Sequence, residues 1–430
     1  MKNVLFIAYY FPPMGGSGVQ RSIKFAKYLN NFDFRPVVLT VNPVYARWVK
    51  DKTSLEDISR DTIIYRTPTI DLNWVFKFLW GLRLNKAVGW LLRNVLIPDA
   101  EITWLPFAKF KLKQIIKEHK IDIAYISGGP FSSMLLGPYL KKKHKIKYVV
   151  DFRDEWTNNL YRLDLKYPEH SITKEAGLES NVLNSCSGIV YAVPQYMKKN
   201  FESKYPFMRG KLFKEITNGY DDEDYTKKKR RINKKDNILN IVYTGTFYDR
   251  TKPLILWEAL HDLSMDNLID ADNIHIDIVG KNTISFVMGH YLSNKTIMNM
   301  VNFVPHVGHN EVIHFLEQAD LLLIYIAPGP NSNSLLTGKI FDYMRSCKPI
   351  FAIIPPKGAA AELVRKSKTG FVCDTSDIED VKKGVLEVYN LWQNKQLITT
   401  PDKEYISQFE RKKLTSDLAD LFNQIISGSS

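Results

Sequence analysis

The segment Thr337–Ile350, with the sequence TGKIFDYMRSCKPI, follows one apolar run, Leu321–Ile326, and leads into another, Ile350–Ile354. Its own apolar residues recur at helical spacing, so it predicts a helix that begins at or near Gly338 between two buried strands. The first turn carries Lys339, which the positive end of a helix dipole disfavours. A cation and a helix N-terminus at one point indicate an anion that both of them bind.

Strands and helices alternate along the rest of the chain. Val4–Tyr9 predicts a buried strand, and a loop, a helix and a second strand, Pro36–Val41, follow it, which implies a parallel sheet. The apolar strands stop before a basic run and start again after it. We therefore predict an α/β fold of two facing Rossmann-like domains, with ligands in the cleft between them, beyond the carboxyl ends of the strands. The predicted first domain, linker and second domain are 1–225, 226–237 and 238–404.

The composition limits the class of protein. With 430 residues, of which 45% are hydrophobic and 24% charged, the chain is long enough for two globular domains. Its first residues lack a signal-peptide pattern, no apolar run is long enough to span a membrane, and the three cysteines have no metal-type spacing. We therefore expect a cytoplasmic protein with reduced thiols.

The net charge of +13 indicates anionic partners. No zinc-finger, RNP-type or basic-leucine pattern supports a nucleic acid as the partner. An anionic lipid surface and anionic phosphosugar substrates fit the charge better. An ordinary solvated surface is the alternative for many individual lysines.

The loop between the first strand and the first helix contains Gly15, Gly16 and Ser17. Glycines let backbone amides approach an anion, and the helix N-terminus adds positive potential. The spacing is not that of a dinucleotide-binding loop, and a simple tight turn is the alternative.

Two later loops of the first domain carry polar residues. Gly128, Gly129 and Ser132 follow one strand, and their amides and hydroxyl can bind a sugar or an acceptor. Arg153 and Asp154 follow the next strand, within the sequence DFRDEW. So much charge at a strand end indicates either substrate positioning or a structural network of ion pairs.

Thr337–Ile350 closely resembles the donor-nucleotide segment of family-4 glycosyltransferases, enzymes of the GT-B fold. The resemblance implies that Gly338 and Lys339 open a donor-binding helix and that Asp342 binds the nucleotide ribose. Ser334 replaces the Glu that the family usually has. A subgroup that builds bacterial surface polysaccharides has a Lys-containing loop here, which Lys339 matches. The DFRDEW sequence resembles a signature of the same subgroup, and the GT-B resemblance implies that the last helix, within 405–430, packs on the first domain.

The resemblance also gives roles to other residues. It implies that the first loop contacts the donor phosphate and sugar. Lys252 matches a Lys that the family places on the donor diphosphate, whereas Thr246 stands where the family has an Arg, which leaves Arg250 as the candidate to compensate. His306 follows a strand at the place where relatives bind the nucleobase. The predicted catalytic residues are Lys252, Arg250 and Asp154.

Trp74–Ile97 is unusual because no acidic residue occurs between Asp71 and Asp99. As one helix it would have an apolar face and a basic face, which is typical of a helix that lies on anionic lipid. Phe107–Ile116 adds basic surface. An ordinary helix packed on the first domain is the alternative. The candidate membrane contacts are Trp80, Arg83, Lys86, Trp90 and Arg93.

We therefore predict a retaining glycosyltransferase, of the hexosyl or N-acetylhexosaminyl class, with a nucleotide-sugar donor and neither a metal nor another cofactor. His306, His309 and His314 lack the pattern of a zinc site. The expected acceptor is a lipid-linked saccharide or another surface-glycan precursor at the inner face of the plasma membrane. One alternative is a sugar-nucleotide epimerase. The other is a non-catalytic sugar-nucleotide-binding subunit, and Ser334 and Thr246 favour this second alternative.

Overall fold

The computed structural model of the protein describes residues 1–43, 51, 53–158, 167–193, 197–226, 237–247, 252–329 and 331–428. The chain divides into two compact units. The first comprises Met1–Asn218 and Arg411–Ser430, and the second comprises Gly219–Glu410. The division lies before the basic run, of which 227–236 fall outside the described residues. The cleft between the two predicted domains stays a prediction.

A parallel sheet of seven strands forms the centre of the first unit. Its strands are β1 (Lys2–Ile7), β2 (Phe34–Val41), β3 (Ile63–Thr67), β4 (Ile123–Ser127), β5 (Tyr148–Phe152), β6 (Gly188–Tyr191) and β7 (Phe213–Glu215). Their order is β3-β2-β1-β4-β5-β6-β7, and every neighbouring pair is parallel. The edge strands β3 and β7 were not predicted, because their residues are mostly half-buried and form no continuous apolar run. The order of the strands reverses between β1 and β4, which is where sheets of this kind bind ligands.

Helices cover both faces of this sheet, and each face has its own buried apolar cluster. Among the described residues before the second unit, the α-helices are α1 (Ser17–Tyr28), α2 (Asn73–Gly81), α3 (Asn85–Asn94), α4 (Leu105–Glu118), α5 (Leu136–His144), α6 (Glu169–Ser185) and α7 (Met197–Lys204).

The second unit repeats this architecture with six parallel strands. They are β8 (Leu239–Thr244), β9 (Ile274–Val279), β10 (Val301–Val304), β11 (Leu321–Tyr325), β12 (Ile350–Ile354) and β13 (Gly370–Asp374), in the order β10-β9-β8-β11-β12-β13. The helices are α8 (Leu254–Met265), α9 (Ile284–Met288), α10 (Lys295–Met300), α11 (His309–Gln318), α12 (Lys339–Ser346), α13 (Ala359–Ser367), α14 (Ile378–Gln393) and α15 (Lys403–Ser407). Apolar clusters again lie on both faces. The predicted α/β fold of two Rossmann-like halves is confirmed.

The last helix, α16 (Arg411–Ser427), belongs to the first unit. Its Phe422 ring meets the ring of Phe34 edge-on, with 5.4 Å between the ring centroids. Gly188 on β6 allows a close approach, because a Cβ there would lie 2.7 Å from Cδ1 of Ile425. The chain therefore returns to the first sheet after it completes the second one.

The prediction of one helix over Trp74–Ile97 is wrong. The chain forms two helices, α2 and α3, because Arg83 between them has a φ of 59°, a left-handed conformation that a right-handed helix cannot contain. Trp80 is exposed and Val88 is buried, so these residues do not share one apolar face. The segment is a pair of short helices.

A buried ion pair connects α1 to the end of β5. Arg21 and Asp151 are both inaccessible to solvent, and the guanidinium Nε and Nη2 donate to the two carboxylate oxygens at 2.7 and 2.8 Å. The hydroxyl of Tyr125 donates to the same carboxylate. Arg21 also donates to the carbonyls of Thr217 at 2.6 Å and Ile216 at 2.8 Å. For Asp151, the structural network is therefore the correct alternative.

We predict that Asp151→Asn lowers the free energy of unfolding of the first unit by about 3–5 kcal/mol, because it leaves the Arg21 charge buried without its counter-ion. Urea unfolding followed by circular dichroism measures the change. Asp417→Asn is the matched control, because it breaks the pair between Lys214 and Asp417, whose side chains are 38% and 36% exposed. That pair should contribute about 0–1 kcal/mol. Equal effects of the two substitutions would contradict the prediction.

Candidate functional site

Two neighbouring strands of the second unit, β8 and β11, mark the point where the order of its strands reverses. Because all strands are parallel, the carboxyl ends of β8 and β11 lie at the same edge of the sheet, where ligands bind in such folds. Helix α12 begins in the connection that follows β11, with Gly338 immediately before its first residue. The predicted helix start is therefore correct.

Lys339, the first residue of α12, reaches the end of β8. Its Nζ lies over the ring of Tyr243, 3.7 Å from the ring centroid. A Cβ at Gly245, which has a φ of 119°, would lie 3.0 Å from the same Nζ, so this position requires glycine. Lys339 is half-buried, and within the described part of the chain no carboxylate pairs with it. Desolvation lowers the pKa of Lys339 to about 7, because little water remains to stabilise its charge.

Other donors and open space surround the start of α12. Among the described residues, none accepts a hydrogen bond from the backbone N–H of Gly338 or Lys339. The hydroxyl of Thr337 is buried and also has no partner there. A Cβ at Gly338 would meet no atom within 4 Å. The helix start therefore offers positive potential, unused donors and room for an anion.

Three residues that the sequence analysis did not select hold this edge in place. Tyr343 on α12 is buried, and its hydroxyl accepts a hydrogen bond from the backbone N–H of Thr244 at 2.9 Å. Asn282 donates to the carbonyl of Gly245 at 3.0 Å and accepts from the N–H of Phe247 at 2.8 Å. Tyr243 supplies the ring under Lys339. None of these contacts has a local sequence signal, since each joins residues that are distant in the chain.

The remaining predicted donor residues of the second unit lie at different places. The Nζ of Lys252 lies over the ring of Phe286, 4.4 Å from its centroid. Thr246 is half-buried just beyond β8, and His306 is exposed after β10. Arg250 lies outside the described residues. Their predicted roles stay predictions.

Asp342 lies one turn into α12 and is half-buried. Its backbone carbonyl accepts a hydrogen bond from the hydroxyl of Tyr225 at 2.9 Å. Burial raises the pKa of Tyr225, and the negative charge of Asp342 raises it further. Asp342 lies on the same helix as Lys339. The assignment of Asp342 to the ribose stays a prediction.

The three histidines singled out in the sequence have separate surroundings. His309 lies 3.3 Å from a carboxylate oxygen of Asp224, and His314 lies 3.0 Å from the side-chain amide of Gln318. In the part of the chain that the structure describes, the histidines form no group with metal-ligand spacing.

In the first unit, the loops after β1 and β4 lie at the corresponding reversal of strand order. Helix α1 begins at Ser17, and Gly16 before it has a φ of 108°. Gly15 and Gly16 have no described acceptor for their N–H groups. The contact of these residues with the donor stays a prediction.

The loop after β4 contains Gly128 and Ser132, whose predicted contact with a sugar or an acceptor stays a prediction. Ser132 is fully buried, its N–H donates to a carboxylate oxygen of Asp99 at 3.0 Å, and its hydroxyl has no partner among the described residues. A ligand cannot reach that hydroxyl in this conformation. Gly128 is required for packing, because a Cβ there would lie 2.6 Å from the carbonyl oxygen of Asp151.

Arg153 is the next predicted acceptor-binding residue, and that role stays a prediction. Its guanidinium donates to the backbone carbonyls of Gly128, Gly18 and Gly129, so it faces the protein's own loops. The neighbouring Asp154 is exposed. The surrounding protein partly desolvates this carboxylate and raises its pKa, and the positive charge of Arg153 opposes that shift.

Residues 222–400, most of the second unit, match the family described as "Glycosyl transferases group 1". No curated protein matches the chain significantly in sequence.

Solved structures with the same fold match over nearly the entire chain. Sucrose-phosphate synthase from Thermosynechococcus elongatus has a TM-score of 0.65 at 11% identity, and the match covers 100% of both chains. A glycosyltransferase from Rickettsia africae has a TM-score of 0.63 at 16% identity, with 100% of this chain and 99% of that chain covered. WaaG, a glycosyltransferase involved in lipopolysaccharide biosynthesis, has a TM-score of 0.58 at 13% identity, with 99% and 98% covered.

Identities this low establish the fold alone, and the family match covers less than half of the chain. The chain thus has the GT-B fold, and its residues 222–400 are similar to a glycosyltransferase domain of group 1.

Proposed function

We propose that this protein is a retaining glycosyltransferase that transfers a hexosyl or N-acetylhexosaminyl group to a lipid-linked saccharide, or to another surface-glycan precursor, at the inner face of the plasma membrane. The observation that carries the donor half of the proposal is Lys339, a cation without a described carboxylate partner at the start of α12. The acceptor half depends on the exposed surface of α2 and α3. The two halves have separate tests.

The start of α12 suits the diphosphate of a nucleotide sugar. A phosphate oxygen there would accept from the free N–H groups of Gly338 and Lys339 and would supply the counter-ion that Lys339 lacks. When the bond between the sugar and the diphosphate breaks, negative charge develops on the departing diphosphate. Lys339 and the helix N-terminus are then already in position to stabilise this charge, without any need for a resident metal ion.

Two further residues have proposed roles in the same reaction. Asp342, one turn along α12, is assigned to the ribose hydroxyls, because a carboxylate accepts hydrogen bonds from such groups strongly. Lys252 is assigned to the diphosphate by the family resemblance. In the first unit, the exposed Asp154 is assigned to the reacting sugar or the acceptor.

Helices α2 and α3 expose large apolar side chains. Trp74 is 68% exposed and Phe78 is 63% exposed, and Phe110 on α4 is 75% exposed. Trp80, Leu82, Leu84 and Trp90 are also exposed. Exposed aromatic residues of this size are typical of a surface that contacts another molecule or a lipid bilayer.

Basic residues accompany these apolar side chains. Lys77 on α2, Lys86 on α3 and Arg83 between the two helices are exposed, and no acidic residue occurs between Asp71 and Asp99. Arg93 is different, because its Nε donates to the carbonyl of Gly89 on its own helix at 3.0 Å. Aromatic and cationic residues together favour an anionic lipid surface. No helix in the described residues combines the length and the hydrophobicity needed to cross a bilayer.

A membrane surface and a glycosyltransferase domain together favour a lipid-linked acceptor. WaaG, whose fold is similar, is involved in lipopolysaccharide biosynthesis. The non-catalytic alternative retains one argument, since Ser334 and Thr246 replace charged residues of the family. An active transferase and a non-catalytic subunit are distinguished by incubating the purified protein with UDP-glucose, UDP-galactose, UDP-N-acetylglucosamine or GDP-mannose. Release of the nucleoside diphosphate, UDP or GDP, indicates an active transferase. Binding of these compounds without any turnover would favour the non-catalytic subunit.

We predict that the affinity of the protein for its nucleotide sugar falls about tenfold between pH 6 and pH 8. Since the pKa of Lys339 is about 7, most of the protein carries a charged Lys339 at the lower pH and a neutral one at the higher pH. The attraction for a diphosphate therefore weakens as the pH rises. Isothermal titration calorimetry at several pH values measures the change.

Lys339→Arg should remove this pH dependence, because a guanidinium stays charged over the whole range. Lys395→Arg, at an exposed position after α14, is the control and should leave the profile unchanged. A wild-type affinity that is constant from pH 6 to pH 8, or a pH profile of the Lys339→Arg variant identical to that of the wild type, would exclude Lys339 from the donor site.

We also predict that the protein binds vesicles of phosphatidylglycerol and phosphatidylcholine at low salt and is released at high salt, because salt screens the attraction of basic residues to the lipid. Replacing Trp74, Phe78 and Trp90 with Ser should reduce the bound fraction about tenfold or more, since these side chains would lose burial in the lipid. Sedimentation with the vesicles measures both effects.

The control for the vesicle experiment uses exposed apolar residues of the second unit. Leu268 and Ile398 are also exposed, and replacing both with Ser should leave vesicle binding unchanged. Binding that depends equally on the two sets of residues would indicate non-specific adhesion. A wild-type protein that does not sediment with anionic vesicles contradicts the membrane proposal and favours a soluble acceptor.

A further inference from the structure

Arg153 joins the two loops at the point where the strand order of the first unit reverses. Its Nε donates to the carbonyl of Gly128 at 2.6 Å and its Nη2 to the carbonyl of Gly129 at 2.7 Å, both in the loop after β4. Its Nη1 donates to the carbonyl of Gly18 at 2.7 Å, in the first turn of α1. Within the described residues no carboxylate forms an ion pair with Arg153. The guanidinium therefore donates hydrogen bonds to three backbone carbonyls.

These contacts determine the direction of a free backbone donor. In a trans peptide the C=O and the N–H point in opposite directions, so the N–H of Gly129 points away from the guanidinium that holds the carbonyl of Gly128. No described residue accepts a hydrogen bond from this N–H. A planar guanidinium with five N–H donors can hold several carbonyls at once, which an ammonium group cannot do in the same geometry.

The two loops are built around the guanidinium. A Cβ at Gly18 would lie 2.6 Å from Nη1, and a Cβ at Gly129 would lie 2.6 Å from Nη2. Gly129 also has a φ of 79°, which disfavours other residues, whereas the conformation of Gly18 is an ordinary one. At Gly18, therefore, Arg153 itself is the obstacle to a larger residue.

The buried pair of Arg21 and Asp151 already connects α1 to β5 beneath these loops. Arg153 is not needed for that connection, and it is half-buried where Arg21 is completely buried. Its contacts thus concern the shape of the loops rather than the stability of the unit.

We propose that Arg153 is a positioning residue of the transferase reaction: it holds the loops after β1 and β4 so that the N–H of Gly129 and the start of α1 face a substrate oxygen. This inference depends on the proposed function, because it assumes that the loops contact a substrate. It replaces the direct acceptor-binding role that the sequence suggested.

The test compares Arg153→Lys, Arg153→Gln and Gly18→Ala in the full-length protein, with the nucleotide sugar that the wild type turns over. All three should lower kcat/KM by about tenfold to hundredfold, since a displacement of about 1 Å in positioning groups has effects of this size. Lys should retain more activity than Gln because its longer side chain can still reach one of the carbonyls, whereas the shorter amide of Gln cannot. The melting temperature should change little. Arg60→Lys, at an exposed position, is the control.

A double variant distinguishes positioning from a general loss of structure. Because the Cβ at Gly18 collides only with the guanidinium, Gly18→Ala should cause little additional loss once Arg153 is Gln. Additive losses, unchanged kinetics in both Arg153 variants, or losses that match the loss of folded protein would each overturn the proposal.

The result also separates this inference from the function on which it depends. If the wild type binds a nucleotide sugar but does not turn it over, the proposed catalysis fails. The role of Arg153 is then measured by calorimetry with the same compound, and equal affinities of the wild type and Arg153→Gln would overturn the inference alone.

Discussion

Parallel pairing between strands requires that every strand of a unit run in the same direction, so the chain must return to the same edge of the sheet after each strand. In both units all neighbouring strands are parallel, and the order of the strands reverses once, between β1 and β4 in the first unit and between β8 and β11 in the second. The loops at each reversal separate to opposite faces and leave room between them. This constraint brings Lys339 beside Tyr243, although the two residues are far apart in the chain.

The two sheets use cations differently at this edge. In the first unit, Arg21 is neutralised by Asp151, and Arg153 is satisfied by three backbone carbonyls. In the second unit, Lys339 lies on an aromatic ring and has no described carboxylate partner. An ion pair within the protein stabilises the fold, whereas a cation without such a partner is available to an anionic ligand. Internal acceptors therefore distinguish Arg21 and Arg153, whose N–H groups bind within the protein, from Lys339, which we assign to the donor.

The surface of α2 and α3 exposes large apolar side chains. Trp74 and Phe78 remain in contact with water in the structure, although burial of such side chains is favourable. Arg83, in a left-handed conformation, ends α2 and separates the two short helices. We propose an anionic lipid surface as the common partner of these groups, since it would bury the exposed apolar side chains and attract the neighbouring basic ones.

Local sequence patterns determined much of this protein. Continuous apolar runs predicted the central strands, and helical spacing predicted the start of α12 and the placement of Lys339 in its first turn, because these features depend on residues close in the chain. The edge strands β3 and β7, the break at Arg83, the burial of Ser132 and the ring beneath Lys339 were decided only by the tertiary structure. The same is true of Arg153, which the sequence indicated as a polar residue after a strand but whose partners lie in two other loops. Side-chain hydrogen bonds and burial depend on which distant segments meet, and spacing along one segment contains no information about that.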